Sequence, residues 1–252
     1  MKFKYIKVLA LSCLFLGSQS YANESKETIK VGFEPAFAPF EYIDEKTKQL
    51  VGFDIDLIKA ILDDQGYAME VSTMPFDGLI PALMTGDIDC ALAGISITQK
   101  RLKRVDFSKP YYDSGLSILI DKKNIDTIKS SQDLKGKTVC VQIGTTGAKY
   151  ATGNLQAAEV VQFNTAPESY LELVTGRCAA AINDKPVNDY YLASGKAFKA
   201  IHSLDEVLSA ESYGIAIAKG NEKIKTIVDT GFDNIKKNGQ YSKIYDKWFS
   251  KK

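Results

Sequence analysis

Hydrophobic and polar positions switch repeatedly between a period of two and a period near 3.6, which predicts strands and helices in alternation. Residues 28–33 (Thr-Ile-Lys-Val-Gly-Phe) read as a strand, followed by a loop held open by Pro35 and Pro39. Residues 53–64 place Ile55, Ile58, Ile61 and Leu62 on one helical face, and Gly66 stops that helix. Residues 68–73 return as a strand. Asp77 then caps a helix to Met84, with Pro81 in or near its first turn, where proline is tolerated. The second half repeats the plan, with strands at 138–143, 160–163 and 178–182 and helices at 146–152 and 167–175. Leu83-Met84-Thr85-Gly86 leading into Cys90-Ala91-Leu92-Ala93 is echoed by Leu173-Val174-Thr175-Gly176 leading into Cys178-Ala179-Ala180-Ala181.

This succession predicts an α/β protein of two doubly wound lobes, each a largely parallel sheet with helices on both faces. Residues 111–120 and 211–218 read as extended crossovers, and helices at 222–237 and 241–249 return to the first lobe. The expected first lobe is therefore 23–113 with 212–252, and the second is 114–211, joined by a two-strand hinge. A ligand belongs between the strand ends of the two lobes.

The first 22 residues carry the pattern of an export signal: Lys2, Lys4 and Lys7, an apolar stretch from 8 to 16, and Ser20-Tyr21-Ala22 as a small-x-small cleavage site. The apolar stretch is too short to span a bilayer. Cys13 offers a lipoprotein reading instead, against an unusually short signal and Ala10 at the usual leucine position. Of the 252 residues, 32 are basic and 31 acidic, and removal of the signal leaves 29 and 31. A near-neutral surface argues against nucleic acid or acidic membranes as partners. Among the remaining cysteines, Cys140 and Cys178 begin strands expected to be neighbours, which leaves a disulfide open. Cys90 reads as a small buried hydrophobe. No cysteine has metal-type spacing and His202 is the single histidine, so neither a metal site nor a histidine-dependent triad is expected.

The segment Ala91-Leu92-Ala93-Gly94-Ile95-Ser96-Ile97-Thr98-Gln99-Lys100-Arg101 carries the candidate chemistry. Its front half reads as a buried strand and its back half as a polar loop opening a helix at about Thr98. Backbone N–H groups at such a junction favour an anion, and the Arg101 guanidinium adds a fork that matches a carboxylate. On the residues alone Arg101 is equally a solvated helix arginine, Glu34 a surface loop acid, Phe37 and Phe76 core aromatics, and Asp184 a helix cap.

Several segments, in this order and spacing, resemble the periplasmic solute-binding proteins of amino-acid ABC importers (solute-binding protein family 3), most closely the arginine-binding members. They are Phe33-Glu34-Pro35-Ala36-Phe37-Ala38-Pro39-Phe40-Glu41, Val51-Gly52-Phe53-Asp54-Ile55-Asp56-Leu57, Phe76-Asp77-Gly78-Leu79-Ile80-Pro81, the 91–101 segment, Asp106-Phe107-Ser108-Lys109-Pro110-Tyr111-Tyr112, Val141-Gln142-Ile143-Gly144-Thr145-Thr146, and the ending Tyr241 to Trp248. The resemblance implies a type II periplasmic binding protein fold. It implies that Gly94, Ser96, Arg101 and Thr146 hold a ligand α-carboxylate and that Asp184 holds its α-ammonium. Glu34 would face the ligand side chain between the aromatic walls Phe37 and Phe76, an arrangement suited to a cation. Gln142 stands where glutamine-binding relatives carry a cation-repelling Lys, which favours arginine, then lysine or ornithine. Ile143 and Gly147-Ala148 depart from the polar residues of those relatives.

The expectation is thus a monomeric, non-catalytic, periplasmic carrier with no cofactor, delivering an L-amino acid to an ABC permease. Two same-fold alternatives stand beside it. A cyclohexadienyl dehydratase needs a second catalytic group that is not evident, and a receptor sensor domain is expected to continue past residue 252.

Overall fold

The computed structural model describes residues 26–194 and 199–250; the expected signal at 1–22 lies outside the described residues. In chain order, β1 (Thr28–Phe33) leads into a small hairpin-like sheet of β2 (Ala36–Phe37), β3 (Glu41–Ile43) and β4 (Leu50–Val51). Then come α1 (Phe53–Asp64), β5 (Ala68–Thr73), α2 (Phe76–Thr85), β6 (Cys90–Ala91), α3 (Gln99–Leu102) and β7 (Val105–Phe107). The next segment holds β8 (Tyr112–Asp121), β9 (Thr138–Gln142), α4 (Thr146–Asn154), β10 (Glu159–Phe163), α5 (Ala166–Val174), β11 (Ala180–Asp184) and α6 (Lys185–Ser194). The chain ends through β12 (Ile201–Tyr213), β13 (Ala216–Ala218), α7 (Glu222–Lys237) and α8 (Gln240–Phe249).

Two five-stranded sheets result, ordered β5-β1-β6-β13-β7 and β10-β9-β11-β8-β12. Each is half parallel rather than largely parallel. β1 runs parallel to β5 and β6, but β13 is antiparallel to both β6 and β7. Likewise β9 runs parallel to β10 and β11, whereas β8 is antiparallel to β11 and β12. The reversed strands are the crossing segments: a chain that passes between lobes without an intervening helix returns in the opposite direction. β8 and β12 pair from Tyr112↔Tyr213 through Ser114↔Glu211 to Ile201↔Asp121, with the register shifting on either side of Val207.

α1 buries Phe53, Leu57, Ile58, Ile61 and Leu62 in the same core cluster as Ile224, Ile227, Val228 and Ile235 of α7. Burial of each such side chain contributes about 1.5–3 kcal/mol. Gly52 precedes α1 at φ +147°, and a Cβ there would fall 1.9 Å from the Phe40 carbonyl oxygen. α8 closes the first lobe by packing Phe249 against Tyr112, ring centroids 4.9 Å apart and tilted by 40°, and by donating from Trp248 Nε1 to Asp56 at 2.7 Å.

Local expectations that differ have identifiable causes. α2 starts one residue before Asp77, with Pro75 as its cap and no side-chain capping bond. Pro81 lies in its second turn, inside the helix. The strand expected from residue 91 has only Cys90 and Ala91 in the ladder, because Gly94 turns the chain out of the sheet at φ +52°. The strand expected at 178–182 pairs instead over Ala180–Asp184, so Cys178 precedes it. Cys178 is nonetheless bonded to Cys140, with Cα atoms 5.8 Å apart, and Cys90 is a buried free thiol.

Candidate functional site

The β6–α3 loop is held in place from below. Asp54, in the first turn of α1 and fully buried, accepts the Gly94 N–H at 3.2 Å and the Tyr111 hydroxyl at 2.8 Å. A Cβ on residue 94 would lie 2.6 Å from Phe37, so both backbone angle and space call for glycine. Thr98 caps α3, as expected, by accepting the Arg101 N–H at 3.2 Å. That bond uses one of the amides read as free for an anion, and α3 is a single turn, so the helix-start contribution is smaller than expected.

Arg101 is buried, which opposes its charge and lowers its pKa, while Asp184 and Glu211 oppose that shift. Its Nη1 donates to the Ser96 carbonyl at 2.8 Å and its Nη2 to the Gly144 carbonyl, in the second lobe, at 3.2 Å. The guanidinium carbon lies 5.3 Å from the centre of the Phe76 ring. One face of Phe76 therefore meets Arg101, not only the space expected for a ligand side chain.

The second lobe meets this loop with its strand ends. Thr145 closes the turn after β9, donating to the Gln142 carbonyl at 2.7 Å and accepting the Ala148 N–H at 3.1 Å, so that Thr146 opens α4. Asp184 is the last residue of β11 and is buried. Ser114 of β8 lies 3.3 Å from its Oδ1 and 3.0 Å from the Tyr213 hydroxyl, which also hydrogen-bonds Asp184. Burial and the Glu211 charge push Asp184 up to about 7, opposed by Tyr213, Arg101 and Ser114.

Phe37, Phe76, Gly94, Ser96, Arg101, Gln142, Thr146 and Asp184 line one enclosed cavity together with Thr145. Its volume is about 10 Å³, room for about one water. The cavity shares Phe76, Arg101, Thr145 and Thr146 with an outer cleft of about 530 Å³, which also touches Lys100, Arg104 and Lys149.

Glu34 is the expected site residue that does not line the cavity. It lies behind Gln142, whose side chain hydrogen-bonds it, and burial pushes its carboxyl up to about 7. Gln142 Nε2 also donates to the Asn164 carbonyl at 3.0 Å. Gln142 Oε1 is buried without a donor, and Glu34 Oε2 is in the same condition. Gln142 was expected to touch a ligand directly; here it also positions Glu34.

Three acids were not anticipated. Asp54 and Glu41 are fully buried, and both Glu41 carboxyl oxygens and Asp54 Oδ1 have no hydrogen-bond partner among the described residues. Burial and the neighbouring Asp54 and Glu34 hold Glu41 well above the usual carboxylate range, and burial pushes Asp54 up to about 6. Glu211, on β12, accepts the hydroxyl protons of Ser96 and Thr146, the latter at 2.9 Å. The signal for Asp54 and Glu41 lay in acids interrupting otherwise apolar segments. Glu211 carried none beyond its place in the 211–218 crossover.

Two α/β lobes meeting strand end to strand end, with opposite charges buried at the seam, define a two-lobed ligand-binding protein. Residues 29–251 match the model for bacterial extracellular solute-binding proteins, family 3, and the chain belongs to that family. It is 33% identical to an L-arginine-binding protein of Pseudomonas aeruginosa, covering 99% of this chain and 96% of that one. Among solved structures, an ancestral arginine-binding protein bound to arginine superposes with a TM-score of 0.84 at 41% identity, covering 90% of this chain and all of the other. An ancestral amino-acid-binding protein described as a precursor of cyclohexadienyl dehydratase superposes with a TM-score of 0.81 at 40% identity, covering 88% and 96%.

Proposed function

We propose that this protein captures a cationic L-amino acid, arginine first, between its lobes and delivers it to an ABC permease. The observation that carries the reading is the orientation of Gln142. Its nitrogen donates to the Asn164 carbonyl, while Gln142 lines the cavity and its Oε1, like Glu34 Oε2 nearby, is buried without a donor. A buried acceptor and a buried carboxyl are costly without a donor. A guanidinium, with five N–H donors and a fixed charge, supplies both needs. At the opposite end Asp184 takes the α-ammonium and Arg101 the α-carboxylate, so that each ligand charge finds its opposite.

The cavity is too small for an amino acid in this conformation, so entry requires the lobes to part along β8 and β12. The reading is of a monomeric carrier in the periplasm, performing no reaction, with lysine, ornithine and glutamine as weaker ligands. Support for arginine over those comes from the relatives named above and from the absence of a lysine at position 142. A thermal-shift panel of all coded amino acids tests it. L-Arginine gives the largest rise in Tm, and a panel without a rise for any cationic amino acid contradicts the reading. Incubation with prephenate or arogenate leaves both unconverted; turnover would assign the chain to the enzymes instead.

A further inference from the structure

Ser96 and Thr146 lie on opposite sides of the cleft, yet both give their hydroxyl protons to Oε2 of Glu211, Thr146 from 2.9 Å. Ser209 donates to the other oxygen, Oε1, at 3.1 Å. Ser96 and Thr146 both line the inner cavity, and Glu211 does not. A hydroxyl has one proton and two lone pairs. With the proton committed to Glu211, neither hydroxyl can donate to a ligand carboxylate, and each has only lone pairs to offer a ligand.

We infer that Glu211 sets the polarity of these two hydroxyls, making Ser96 and Thr146 acceptors for the ligand α-ammonium and Glu211 a specificity-determining residue that selects for a protonated α-amine. The inference rests on the amino-acid reading above and reassigns the two hydroxyls within it. The α-ammonium then has three acceptor groups, Asp184 and the two hydroxyls, with the Glu211 carboxylate behind them. The α-carboxylate then meets Arg101, whose five N–H groups have two engaged by the Ser96 and Gly144 carbonyls, and the backbone N–H groups of the β6–α3 loop. The charges agree: Asp184 and Glu211 both act on the single Arg101 guanidinium, an acidic excess that an ammonium offsets and a second carboxylate would worsen. An α-deaminated acid with the same side chain brings the carboxylate and no cation, and meets two oxygens with nothing to accept.

Calorimetric titration of the full mature chain with L-arginine and with 5-guanidinopentanoic acid, which lacks only the α-amine, reads this directly. The wild type prefers arginine by roughly a hundredfold, and Glu211→Ala, which frees both hydroxyl protons, lowers that ratio at least about tenfold, chiefly through weaker arginine binding. Ser96→Ala, which leaves Glu211 in place, lowers the ratio in the same direction and covers the case in which Glu211→Ala fails to fold. Equal weakening of both ligands, or an unchanged ratio in both variants, overturns the polarity role and leaves Glu211 a brace between strands. A wild-type chain that binds arginine no better than the deaminated acid overturns the inference alone. One that binds neither overturns the amino-acid reading with it.

Discussion

Arg101 reaches from the first lobe to the second and donates to the Gly144 carbonyl at 3.2 Å, so the residue expected to grip a ligand carboxylate also ties the closed cleft together. The same guanidinium holds the Ser96 carbonyl on its own side. Closure and ligand binding therefore draw on one buried charge.

Arg101→Ala removes both roles. Loss of one partner of a buried, hydrogen-bonded charge pair costs roughly 2–5 kcal/mol, so arginine affinity falls at least about thirtyfold. Because the α-carboxylate is common to all amino acids, lysine and glutamine affinities fall alongside. Equilibrium titration of the three ligands checks this, and loss confined to cationic ligands would contradict the assignment.

Glu34→Gln acts at the other end. Gln142 keeps a hydrogen-bonding partner, while the buried carboxyl that attracts a cation is gone. Cationic ligands weaken by about 1–3 kcal/mol and glutamine changes much less. Equal losses for arginine and glutamine would remove Glu34 from the specificity role.

The Glu34, Asp184 and Asp54 carboxyls are raised to about 7, 7 and 6, and Glu41 stands well above its ordinary value. The folded protein thus binds more protons than the unfolded chain between the ordinary carboxylate range and neutrality. Stability of the ligand-free protein accordingly declines as pH rises from about 4.5 to about 7.5, by an amount on the order of a few kcal/mol. Arginine reverses the preference, because its cationic groups favour ionised Glu34 and Asp184, so binding releases protons and strengthens over the same range. Denaturation midpoints at pH 5 and 7.5, with and without arginine, read both slopes.

The Cys140–Cys178 bond closes a loop with a sequence separation of 38. Cys178→Ser costs about 3–4 kcal/mol by loop entropy, lowering Tm, while arginine affinity stays within a few-fold because neither cysteine lines the cavity. A Tm equal to that of the wild type would show that the bond does not form.

The groups that line the cavity were more legible than those behind them. Arg101 and Ser96 stand in a segment whose order and spacing carry a family resemblance, Asp184 follows from that resemblance at a strand end, and the structure places all three around one cavity. The bounds of α1 followed from an apolar face stopped at Gly66, and α7 spans the 222–237 expected of it, with Asn221 as its cap. Glu211 was not legible because its partners are 115 and 65 residues away and strand periodicity says nothing about what a crossing strand meets. Glu41 and Asp54 are raised above their ordinary range because both are buried, a condition that hydrophobic patterning does not report for acids. The early end of β6 hinged on the backbone angle at Gly94, where a glycine in an apolar run reads equally as strand or turn.

Calorimetric titration of the purified mature chain with L-arginine tests the central claim most directly. The account predicts one site per chain with a Kd in the micromolar range or tighter. Absence of binding by arginine, lysine, ornithine and glutamine alike would contradict it.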